Sequence, residues 1–119
     1  MYRLPPGFDS TVLVGRRLEQ ICFTENQMAL HFDGRVDIVV ESAFIYRTPA
    51  APPSNEPVAI PVYDSAVMHL LGRSIISASH DAQGNLTLLF KDSYSLMILH
   101  DTEQYECYQL RIGDQIIVV

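Results

Sequence analysis

One feature constrains the fold of this chain more than any other: a stretch of about thirty residues occurs twice. Leu13 to Ser42 reads LVGRRLEQICFTENQMALHFDGRVDIVVES, and Leu70 to His100 reads LLGRSIISASHDAQGNLTLLFKDSYSLMILH. The two align with one inserted residue. Leu-x-Gly-Arg stands at 13–16 and again at 70–73, and Met28-x-Leu30-x-Phe32 is answered by Leu86-x-Leu88-x-Phe90. A period of this kind means that one supersecondary unit is used twice and that the two copies bury their apolar faces together.

The unit reads as a three-stranded meander. Strict alternation puts Met28, Leu30 and Phe32 on one face of a strand, with Gln27, Ala29 and His31 on the other. The next strand carries Val36, Ile38 and Val40 inward and Asp37 and Glu41 outward. A three-residue connection, Asp33-Gly34-Arg35, opposes Phe32 to Val36, Leu30 to Ile38 and Met28 to Val40. A two-residue Asp-Gly turn would oppose Phe32 to Arg35 and mix the faces, so the longer connection is expected. By the same rule Phe90 meets Tyr94, Leu88 meets Leu96 and Leu86 meets Ile98 across Lys91-Asp92-Ser93. The first strand of each copy, around Leu18 to Phe23 and Ile75 to His80, alternates less regularly.

Residues 48–63 join the copies and hold five prolines between Pro49 and Pro61. Proline supplies no ladder hydrogen bond, so a crossing loop is expected, draped over the domain because it is too apolar for a free linker. The segment DSAVMHLLGR then reads as a two-turn helix, with Asp64 or Ser65 as N-cap and Gly72 just past its end. Phe8 to Arg17 reads as its counterpart. Past the second copy, Tyr108, Leu110 and Ile112 alternate with Cys107, Gln109 and Arg111; Gly113-Asp114 turns the chain, and QIIVV closes it as a strand. The expected fold is mainly β (α+β): two meanders and a C-terminal hairpin, arranged as a sandwich or a partly closed barrel, with one or two short helices. At 119 residues this is one domain, 1–119.

The tail Tyr105-Glu106-Cys107-Tyr108, following the Leu-x-Gly-initiated copy and its Leu-x-Phe strand, resembles a group of small uncharacterised bacterial proteins. Their C-terminal segment reads Tyr-Glu-Ser-Tyr before a closing hydrophobic strand. Cys107 stands where they have serine. The resemblance implies no known activity; small acidic domains of this general kind sometimes serve as immunity partners of toxins.

Charge and composition narrow the function. The chain carries eight basic and fourteen acidic residues, a net charge of −6, and Lys91 is its only lysine. Nucleic acid is not expected as a partner, because phosphate contacts need clustered Lys and Arg. MYRLPPGFDS has no apolar stretch of signal-peptide length, and no run could span a bilayer, so a cytoplasmic chain with no membrane partner is expected. Cys22 and Cys107 lack CxxC spacing and are expected as free thiols.

Cys107 with His100 and Glu106 can be drawn as nucleophile, base and orienter, yet no nucleophile elbow accompanies them, and a strand cysteine beside an acidic loop is the simpler reading. His31, His69, His80 and His100 show no ligand spacing, so no metal is expected, and His31 falls opposite Asp37 in the register above. Asp101, Glu103 and Glu106 read as a solvated acidic loop. Arg16 and Arg73, at a repeated position, answer a repeated structural need. The binding candidates are Tyr105, Glu106 and Tyr108, a charge between large amphipathic rings. A second candidate is the outer face of the second copy, where Leu89, Met97 and Leu99 stand at the positions of His31, Val39 and Glu41 in the first copy. An apolar patch calls for cover, from the loop, the short helix or the last strand, or from another subunit such as a homodimer partner. The expected function is a non-catalytic protein-binding or assembly domain, without cofactor; the alternative is a small-ligand-binding or enzymatic domain using the Tyr105–Tyr108 corner.

Overall fold

The structure is a computed structural model that describes residues 4–5, 7–49, 56–61, 66–101 and 106–119. Strands β1 (Leu18–Phe23), β2 (Met28–Phe32) and β3 (Val36–Val40) form the first meander, and β4 (Phe44–Arg47) follows it. Strands β5 (Ile75–His80), β6 (Leu86–Phe90) and β7 (Tyr94–Ile98) form the second, followed by β8 (Tyr108–Ile112) and β9 (Gln115–Val118). They make two antiparallel sheets, ordered β1-β2-β3-β8-β9 and β4-β7-β6-β5, that pack as a sandwich and do not close into a barrel.

Both hairpin registers fall where the apolar alternation puts them. Phe32 pairs with Val36, Leu30 with Ile38 and Met28 with Val40; Phe90 pairs with Tyr94, Leu88 with Leu96 and Leu86 with Ile98. The three-residue connections bend through positive φ at their last two positions, Gly34 and Arg35 in one and Asp92 and Ser93 in the other. Gly34 suits this backbone, and a Cβ there would also collide with the Arg16 guanidinium laid over the turn. At the matching turn Arg73 reaches Asp92, Nη1 to Oδ2 2.6 Å. The two repeated arginines thus each cover the hairpin of their own segment.

The hydrogen bonds that join the two segments are reciprocal. Gly15 N–H donates to the Ile75 carbonyl (2.7 Å) and Gly72 N–H to that of Leu18 (2.8 Å). Leu18 N–H donates to Arg73 O (3.0 Å) and Ile75 N–H to Arg16 O (2.9 Å), with Arg17 bridged to Ser74 between them. Each bond recurs at the spacing of 57 positions that separates Leu13 from Leu70. Both first strands carry a bulge at equivalent places, between Leu18 and Gln20 and between Ile75 and Ser77, which accounts for their irregular alternation. Phe32 and Phe90 stack across the core at 6.4 Å.

Two expectations change. The helices are short 3-10 turns, Ser10–Leu13 and Ala66–Leu70. A period of three puts Ser10 with Leu13, and Val67 with Leu70, on one side, and these are the residues each turn buries. The capping residues Asp64 and Ser65 lie outside the described residues. Second, β4 stands where the sequence showed only the approach to a proline-rich loop. It leaves the first meander, crosses to the other sheet and pairs with β7, Phe44 opposite Ile98. β8 makes the converse crossing and pairs with β3, Ile38 opposite Leu110. Each meander therefore lends its following strand to the opposite sheet. Of the loop, Val58 bridges Phe44, and Val58 and Ile60 pack against the core.

Candidate functional site

The C-terminal corner is built around a core residue. Tyr108 faces inward with Leu110 and is 0% exposed; its hydroxyl donates to the Gly84 carbonyl at 2.7 Å. Burial, with smaller contributions from Cys107 and Asp81 nearby, pushes its pKa above the ordinary tyrosine value. The ring fills the sandwich and presents no surface to a ligand, so it does not serve as an exposed anchor. Tyr105 lies outside the described residues. Glu106 is half-buried, and its Oε2 sits 3.4 Å from Gln109 Nε2. Across from it, Glu41 accepts from Gln27 Nε2 at 3.0 Å. Partial burial raises the Glu41 pKa; the Gln27 hydrogen bond opposes this and the Glu106 carboxylate adds to it.

The residues drawn together as a nucleophilic triad take separate partners. His100 Nδ1 donates to Gln83 O (2.9 Å), while the buried Cys107 places its Sγ 3.9 Å from Asp101 Oδ1. Both cysteines are free thiols. His31 Nδ1 meets Asp37 Oδ1 at 2.8 Å, the cross-strand pair that the register implies. Among the described residues no three His, Cys, Asp or Glu side chains gather as a metal group, and no helix is long and apolar enough to cross a membrane.

The two outer faces of the sandwich differ in how their apolar side chains are set. On the five-stranded sheet Gln20, His31, Asp37, Arg111 and Ile116 form one cross-strand row and Cys22, Ala29, Val39, Gln109 and Val118 the next; Ile116 is exposed and Val39 buried. Arg111 lies back along its strand, Nη2 3.1 Å from Gln109 Oε1. On the four-stranded sheet the rows are Arg47, Ser95, Leu89 and Ser77, then Ile45, Met97, Thr87 and Ser79. Leu89 is 41% exposed; Met97 and Ile45 are half-buried. The bulge in β5 turns Ile76 outward to 58% exposure. Leu99 lies one residue past β7, half-buried, its N–H donating to Ala43 O at 3.1 Å.

Among the described residues the covers expected for this face are placed elsewhere. Val67 and Leu70 of the 3-10 turn enter the core, β9 belongs to the other sheet, and the described part of the loop packs at the core edge. A hollow of about 410 Å³ opens beside Leu89, lined by Ile76, Arg47 and Tyr94 among others. A shallower one of about 80 Å³ adjoins it between Leu89, Ser95, Met97 and Ile45. Sequence alternation identified Leu89 and Met97. It missed Ile45 and Arg47, because β4 was hidden, and Ile76, because a bulge shifts the inward-outward count. The signal for β4 was present in Phe44-Ile45-Tyr46-Arg47, whose aromatic residues alternate.

Neither a curated protein nor a solved structure gives a significant match to this chain. A family model does, over residues 10–119, a span that takes in all nine strands of the described residues. The chain belongs to a family of unknown function (DUF6188).

Proposed function

We propose that this chain is a non-catalytic protein-binding domain whose contact surface is the outer face of its four-stranded sheet. The observation that carries the reading is the grouping on that face: Leu89 and Ile76 stand bare beside half-buried Met97 and Ile45 around a hollow of about 410 Å³, whereas the opposite face sets its exposed Ile116 next to an ion pair and hydrogen-bonded polar side chains. Apolar side chains gathered on one side of a small chain mark a surface that is covered in use. No carboxylate stands in either row of this face, although the chain carries −6, so a partner meets little of the acidic charge there. An immunity role, which small acidic domains of this general kind sometimes have, is one form of this reading, with a toxin as the covered partner. A second copy of the chain is another form, since a two-fold axis brings the same patch of both copies together and is the commonest symmetric assembly.

The double variant Ile76→Glu, Leu89→Glu tests the reading. Both side chains are exposed, so the variant is expected to melt close to the wild type. In affinity capture from the cells that make the protein, it should lose a partner that the wild type retains. Light scattering on both proteins separates the two forms: a wild-type dimer that the variant turns into a monomer identifies the partner as a second copy. Equal capture and equal mass for the two proteins would overturn the reading.

A further inference from the structure

We propose that β9 (Gln115–Val118) pairs edge to edge with β9 of a second copy of this chain, joining two five-stranded sheets into one. This edge is apart from the face proposed above, and either can fail without the other. The two sheets have four edge strands, β1, β9, β4 and β5, and three of them are blunted. β1 and β5 are bent by their bulges and tied together at their starts through Arg17 and Ser74. β4 takes Val58 along its open side, with backbone bonds both ways between Phe44 and Val58. β9 has none of these devices. It reads Gln-Ile-Ile-Val, without charge or proline, and pairs with β8 without a register shift. An unprotected apolar edge is a template for another strand.

The backbone of β9 says which groups are on offer. Val119 N–H donates to Tyr108 O (2.8 Å) and Tyr108 N–H to Val119 O (3.1 Å). Such pairs recur at every second residue of an antiparallel ladder, so Ile117 and Gln115 also turn their N–H and C=O toward β8. Ile116 and Val118 therefore turn theirs to the open side, where neither takes a backbone partner among the described residues.

A second copy fits this edge by symmetry. A two-fold axis through Ile117 sets Ile116 against the partner's Val118 and Val118 against the partner's Ile116. These are the pairs that exchange both backbone bonds, so each open donor meets an open acceptor. The same register lays apolar on apolar across the outer face, where Ile116 is 61% exposed and Val118 half-buried. A two-fold through Ile116 would instead set Val118 against the charged Asp114 of the turn. Four residues a side make a small contact, so the dimer forms in a concentration-dependent way.

Light scattering and amide hydrogen exchange on the full chain test the pairing. The wild-type mass should rise toward twice the chain mass with concentration. The amides of Ile116 and Val118 should slow about tenfold between dilute and concentrated samples. Ile116→Pro removes an N–H that the fold itself does not use, a place where edge strands accept proline, and should stay monomeric. Ile116→Lys keeps the backbone and brings like charges to the axis; it should stay monomeric too, and it decides the matter if the proline variant does not fold. The Ile76→Glu, Leu89→Glu variant should dimerise as the wild type does. A wild type that stays monomeric with unchanged exchange, or a dimer that survives Ile116→Lys, would overturn the proposal. A dimer lost in the Ile76→Glu, Leu89→Glu variant and kept in Ile116→Lys would place the two-fold on the four-stranded face instead. Protection of Ile116 and Val118 that appears only with a captured foreign protein would overturn the second copy as the occupant.

Discussion

Tyr108 carries two predictions that a surface residue would not. Its hydroxyl is the donor to a carbonyl inside the sandwich, so Tyr108→Phe strands the Gly84 acceptor and should cost about 1–3 kcal/mol in urea unfolding. Its pKa is raised in the folded state, chiefly by burial, so the stability it contributes is complete below its ordinary value of 10.0 and is lost as pH rises above it. Wild-type stability should therefore fall on the alkaline side of pH 10, and Tyr108→Phe should flatten that fall. Tyr46, raised mainly by burial and also by Tyr94 against the opposing Arg73, adds a smaller slope in the same sense. Glu41 works at the other end of the scale. Its raised pKa means that its favourable protonated form is present below the ordinary 4.5 and is lost as pH rises through the folded value. Glu41→Gln keeps the acceptor for Gln27 and removes the charge beside Glu106, so it should unfold at higher urea than wild type at pH 7, an advantage that shrinks at pH 4. Cys107→Ser retains a small side chain beside Asp101 and should fold, with a loss of about 1 kcal/mol and no change in reactivity elsewhere. A loss large enough to prevent folding would show that the thiol does more than pack.

At the scale of elements, the sequence was legible wherever strict alternation and a turn acted together. Both hairpins could be registered to the residue because a one-residue slip would have put Phe32 and Phe90 on the solvent side. The stack of those two rings is the consequence, and each Phe→Ala variant should lose about 3–5 kcal/mol, enough to unfold a domain of ordinary stability. A markedly smaller loss for Phe90 than for Phe32 in parallel denaturation would contradict their equivalence in the core. Legibility failed where the count of two is interrupted. The bulges in β1 and β5 shift side chains between faces, which is why Ile76 went unnoticed. β4 spans only four residues and runs into prolines, so its short alternation was overshadowed by the loop signal. Each 3-10 turn is followed by a glycine, and Asp9 caps the first, but both hold too few residues to tell the period of three from that of an α-helix.

At the scale of the whole molecule, the candidate site was half visible. That the second copy's outer face carries bare apolar side chains follows from Leu89 and Met97 alone, and the structure adds Ile45, Arg47 and Ile76 to it from a strand and a bulge that local pattern could not reveal. The C-terminal corner read as a binding motif because Tyr108 alternates with polar residues, and alternation alone does not say which face of a strand is buried; in a sandwich with β8 paired to β3 it is the tyrosine's. On the proposed function, partners meet the face of β4, β7, β6 and β5 and leave the face of β1, β2, β3, β8 and β9 free. The most direct test places the photo-crosslinking residue p-benzoylphenylalanine at Ile76 in one protein and at Ala29, on the opposite outer face, in another, and irradiates both in the cells that make them. A discrete adduct from position 76 and none from position 29 is the expected result; an adduct formed from position 29 alone would contradict it.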